Sequence, residues 1–76
     1  MNLRKEMFCS DFAKLLKTTE HFADLEGLYY TEDTAGEEFV VPVWKQPDGL
    51  NRIGSPICVT ADSETAIIKD VLKAIE

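Results

Sequence analysis

Apolar residues recur at intervals of three and four near both ends of the chain, and in runs or alternation through its middle. That pattern predicts two helices flanking a sheet. Leu3, Met7, Phe8, Phe12, Leu15 and Leu16 mark the first helix, with Arg4, Lys5, Lys14 and Lys17 between them. Asn2 is the N-cap of a long version; Ser10, with Asp11 in the first turn, caps a shorter one. Thr18-Thr19 end the pattern. Residues 20–25 are either one more turn of helix or a loop that points Phe22 and Leu25 inward.

The clearest element is the last. Ile67, Ile68, Val71, Leu72 and Ile75 form one apolar stripe opposite Lys69, Asp70, Lys73 and Glu76. Thr60, Asp62 or Ser63 caps this helix, and Glu64 suits the positive end of its dipole.

Between the helices, Leu28, Tyr29, Tyr30 and Thr31 favour a strand, Asp33-Thr34-Ala35-Gly36 a turn, and Phe39-Val40-Val41-Pro42-Val43-Trp44 a second strand. Gln46-Pro47-Asp48-Gly49 is a further turn signal, and Arg52 to Thr60 returns as a third strand. Gly54 and Pro56 weaken its beginning, which leaves Pro56 to Thr60 as the regular part. The fold class read from this order is α+β: an N-terminal helix, a three-stranded antiparallel β-meander and a C-terminal amphipathic helix, αβββα, with both helices on one face of the sheet. One domain spans residues 1–76.

The middle strand is apolar on both sides, so its own pattern does not say which side faces the helices. One assignment places Phe39, Val41 and Val43 in the core with Phe8, Phe12, Leu15, Leu16, Ile57, Val59 and the last helix. It leaves Val40, Pro42 and Trp44 on an open face that Tyr30 joins, a composition suited to a binding surface or to self-association through the sheet. The opposite assignment, with both helices covering Val40, Pro42 and Trp44, is the alternative.

Composition changes the picture in one respect. Fourteen acids against eight bases give a net charge of −6, which disfavours nucleic acid and anionic lipid. Between Thr18 and Trp44 stand seven acids (Glu20, Asp24, Glu26, Glu32, Asp33, Glu37, Glu38) and no Lys or Arg. Carboxylates on a rigid hairpin attract a basic protein surface, so Glu32, Asp33, Glu37 and Glu38 join Tyr30, Val40, Pro42 and Trp44 as candidate interaction residues.

The αβββα order resembles that of the double-stranded-RNA-binding domains in topology alone. Those domains need lysines at the start of the last helix, where this chain has Asp62-Ser63-Glu64. No apolar run approaches a membrane span, and the opening residues, with Glu6 and Asp11, do not read as a signal peptide, so the expected location is cytoplasmic.

Cys9, Cys58 and His21 are too few and too scattered for a zinc site, no calcium-loop or phosphate-loop pattern occurs, and no cofactor is expected. The expected function is therefore non-catalytic. It is that of a small acidic adaptor, inhibitor or regulatory partner, of phage or mobile-element type, bound to another protein with a basic surface, or forming a homodimer through the sheet. A regulator that touches nucleic acid through Arg4, Lys5, Lys14 and Lys17 is the alternative. An enzyme built on Cys9 or His21 comes third.

Overall fold

The computed structural model describes residues 2–75; Met1 and Glu76, the latter counted with the polar positions of the last helix, lie outside the described residues. Helix α1 spans Leu3–Lys17, β1 Leu25–Glu32, β2 Glu38–Lys45, β3 Asn51–Ile53, β4 Ile57–Cys58 and α2 Glu64–Ile75. Antiparallel β2 is central, with β1 along one side and β3 and β4 along the other. The order is the α+β arrangement of the sequence pattern, with the third strand broken in two.

Asn2 settles the start of α1, because its side chain accepts the Lys5 N–H at 3.1 Å. Ser63 caps α2 by accepting the Ala66 N–H at 3.2 Å. The β1–β2 turn is held by Asp33, whose carboxylate accepts the N–H groups of Ala35 and Glu37, both at 2.9 Å. Gly36 supplies the positive φ of +84° that this turn requires.

The break in the third strand follows from Pro42. Gly54 donates its N–H to the Pro42 carbonyl at 2.8 Å, but proline has no N–H to return. The ladder cannot continue in phase, and the register slips by one residue between β3, where Trp44 faces Arg52, and β4, where Val40 faces Ile57. Gly54 fits there because it lacks a side chain: a Cβ would stand 2.9 Å from Pro42 Cγ.

Both helices pack on one face of the sheet, over a core of Cys9, Phe12, Ala13, Leu16, Phe22, Leu25, Leu28, Tyr30, Val40, Val59, Ile67 and Val71. The first strand assignment is thereby corrected. Val40 and Pro42 are buried beneath the helices with Tyr30, Trp44 packs partly against the same core, and Phe39, Val41 and Val43 point the other way. Leu15 is also misassigned: it is 66% exposed, as are Leu3 and Met7 to a similar degree. Small Cys9 and Ala13 take the sheet-facing positions instead, which lets α1 approach β1 closely.

Candidate functional site

The two edges of the sheet differ. Along β1, Leu28 and Tyr30 are buried on the helix side, and a crease lined by Ala13, Lys14, Lys17 and Glu26 to Tyr30 runs between α1 and the strand. On the other side the edge is two and three residues long and interrupted by Pro56, features that discourage strand addition. The face without helices is open as well.

That outer face is built by alternation. Tyr29 faces Val41 and Thr31 faces Phe39 across the β1–β2 ladder, and Val43 faces Ile53 across β2–β3. Cys58, beside Phe39, is on the same side and exposed. Tyr29 is 56% and Ile53 73% exposed, while Phe39, Val41 and Val43 are half-buried only by their neighbours in the sheet. The Tyr29 ring lies over Gly27, where a Cβ would come within 3.0 Å of it. The result is a continuous strip of aromatic and branched side chains, bounded at one end by the Glu26–Lys45 ion pair of 3.4 Å. The exposed Leu3, Met7 and Leu15 on α1 form no such strip, being interrupted by Asp11.

The acids divide into two groups. Glu20 and Asp24 lie in the connection that leads into β1, and Glu32, Asp33 and Glu37 at the other end of that strand and in the hairpin turn, so they do not ring one end of the molecule as a single patch. All five are exposed and have no ion-pair partner among the described residues. Glu38 is different, and its assignment to the hairpin's acidic surface is corrected. Its carboxylate accepts from Lys5 Nζ of α1, from the Tyr30 hydroxyl at 2.7 Å, and from the Ala61 N–H at 3.2 Å.

Hydrogen bonding from Lys5 and then from Tyr30 holds Glu38 at a pKa of about 2, against a usual 4.5, with burial opposing. Burial, reinforced by the hydrogen bond to Glu38, pushes the Tyr30 phenol well above its usual range. Glu38 thereby ties α1, β1 and the β4–α2 loop to β2, and its Ala61 contact holds a non-glycine residue at φ +60°. Tyr30 and Glu38 are internal ties and do not form part of a surface.

The basic residues of α1 do not form a common face. Lys5 is committed to Glu38, and Arg4 pairs with Glu64 at 3.2 Å, leaving Lys14 and Lys17 in the crease beside β1. Burial raises the Cys9 thiol to about 11, so it is a thiol and not a thiolate near neutral pH. His21 is exposed and stands edge-on to Phe22 at 4.6 Å between ring centroids. Among the described residues, no group of three or more His, Cys, Asp or Glu side chains is placed to hold a metal ion, and no helix is long and apolar enough to cross a membrane.

Tyr29, Phe39, Val41, Val43 and Ile53 were not singled out as surface residues in the sequence. The available signal was in β1: Leu28 and Tyr30 alternate with Gly27, Tyr29 and Thr31, and the less apolar set marks the open side. No protein-family model, curated protein or solved structure matches the chain.

Proposed function

We propose that the chain is a non-catalytic protein-interaction module that docks through the outer face of its sheet onto a partner with an apolar strip beside basic side chains. The observation that carries this reading is the exposure of Tyr29 and Ile53 around Phe39, Val41 and Val43 on a face that no helix covers. Contiguous apolar surface rimmed by charge is the composition of contact sites.

Glu32, Asp33 and Glu37 beside that face favour a basic partner and speed its encounter. A second copy would bring a further net charge of −6 and the same unpaired acids, which opposes face-to-face pairing.

The test is a photo-crosslinking residue placed at Val41 in cells of the source, with a control at Lys69 on α2. The reading expects one discrete adduct from position 41 with a protein whose contacting surface is basic, lost when Val43→Lys is added. An adduct with a second copy of the chain would overturn the basic-partner assignment. No adduct at 41 beyond that at 69 would overturn the docking face itself.

A further inference from the structure

The hydrogen bonds on the far side of β2 fix which way the backbone of β1 points. Pro42 turns its carbonyl to the Gly54 N–H at 2.8 Å, and Glu38 turns its carbonyl to the Val59 N–H at 2.9 Å. Their antiparallel partners on β1 are Leu28 and Glu32, with Tyr30 opposite Val40 between them. Facing residues in an antiparallel ladder alternately exchange both hydrogen bonds or turn both groups away from each other. Leu28, Tyr30 and Glu32 therefore direct their N–H and C=O groups to the free edge. Among the described residues, no loop backbone hydrogen-bonds to them. An edge of eight residues without proline is a template for a further strand.

The helix beside this edge supplies side-chain chemistry. α1 packs mainly on β1 and runs antiparallel to it, because Lys5, near the helix start, reaches Glu38 and lies 6.0 Å from the centre of the Tyr30 ring. The crease between them, about 220 Å³, is lined on the helix side by Glu6, Ser10, Ala13, Lys14 and Lys17. That is below the roughly 300–1,000 Å³ of a small-molecule site. Glu6 stands at the Tyr30 end and the two lysines toward the other, and none of the three has an ion-pair partner among the described residues. Glu6 and Lys14 are about 12 Å apart along the helix axis. Side chains four positions apart on an extended strand share a face and are separated by about 13 Å.

We propose that the β1 edge docks an extended peptide, which adds as an antiparallel strand and carries a basic side chain followed four positions later by an acidic one. The peptide passes the Glu32 end of β1 first, so its basic side chain meets Glu6 and its acidic one meets Lys14 and Lys17. Main-chain bonds to Leu28, Tyr30 and Glu32 supply affinity, and the charges fix direction and register. A second copy does not fit here. Pairing β1 with β1 would set two α1 helices over strands about 4.8 Å apart, whereas packed helices need roughly 8–10 Å.

The experiment selects binders from a displayed library of random decapeptides on the full chain and maps them by amide hydrogen exchange. In the free chain the Leu28 and Tyr30 N–H groups should exchange at least tenfold faster than those of Tyr29 and Thr31, which bond into the ladder. Selected peptides should share the basic and acidic positions four apart and slow both edge amides at least tenfold. Lys14→Glu with Lys17→Glu should weaken them at least tenfold, and Lys14→Glu alone, at an exposed position, carries the same readout should the pair fail to fold. Val43→Lys should leave their affinity unchanged, which separates this edge from the outer face. No selected peptide, a different spacing, or binding that leaves Leu28 and Tyr30 unprotected would overturn the site, as would slow exchange of both amides in the free chain. Protection that appears without peptide as the chain is concentrated would overturn the choice of a peptide over a second copy.

Discussion

The two faces of this sheet are made from nearly the same residue types and have opposite fates. On the inner face Leu28, Tyr30, Val40 and Pro42 lie beneath two helices, and Tyr30 joins Lys5 and Ala61 in donating to the Glu38 carboxylate. On the outer face Tyr29, Phe39, Val41 and Val43 have similar shapes and no cover. Hydrophobicity alone therefore does not decide burial in β2. What decides it is the neighbouring strand, and the polar side chains that must reach partners on α1 and the β4–α2 loop.

The largest effect should separate neighbours in β2. Val40→Lys places a charge at a position with no solvent exposure, a loss that exceeds the roughly 0.05–0.15 kcal/mol per residue holding a domain together, so the variant should be unfolded by circular dichroism. Val41→Lys, one residue along, should remain folded with a change of about 1 kcal/mol or less in urea unfolding, the scale of strand propensity on an open face. Equal losses at the two positions would remove the distinction between the faces.

The next largest effect concerns the polar part of the inner face. Glu38→Gln leaves Lys5, whose side chain is only 16% exposed, without its counter-charge, and should destabilise by about 3 kcal/mol at neutral pH. Because Glu38 is lowered to about 2 from 4.5, its contribution is complete above 4.5 and disappears as pH falls toward 2. Acid unfolding of Glu38→Gln should therefore be shallower than that of the wild type over that interval, as followed by far-ultraviolet circular dichroism.

Much of this was legible in the sequence, for identifiable reasons. The stripe of Ile67, Val71 and Ile75 has only one helical interpretation, and the Asp33–Gly36 and Pro47–Gly49 turns carry their own backbone requirements. The side of β2 was not legible in β2 itself, because Phe39 to Trp44 is apolar at every position, and a strand of that kind takes its phase from its partner. On α1 the bulky residues Leu3, Met7 and Leu15 suggested the buried stripe, but close approach to β1 selected Cys9 and Ala13. Glu38 was grouped with its acidic neighbours because charge is local in sequence, whereas its donors Lys5 and Ala61 are 33 and 23 residues away.

A smaller effect sharpens the comparison where the faces meet the broken strand. Gly54→Ala sets a methyl group against Pro42 Cγ and its carbonyl oxygen, at 2.9 and 3.2 Å. The expected destabilisation is about 1–2 kcal/mol, measured by chemical unfolding, as for other overpacked sites. Restoring an N–H at the middle strand through Pro42→Val should not rescue it, because the clash with the backbone carbonyl persists.

The most direct measurement uses the two adjacent tyrosines, the only ones in the chain. Nitration at low protein concentration, read by mass spectrometry of the digested peptides, compares Tyr29, 56% exposed, with Tyr30, 6% exposed. Modification of Tyr29 with Tyr30 protected until the chain is unfolded is the expected result. Protection of Tyr29 in the dilute, isolated chain, or prompt nitration of Tyr30, would contradict the claim that the outer face lies bare and the inner one is sealed.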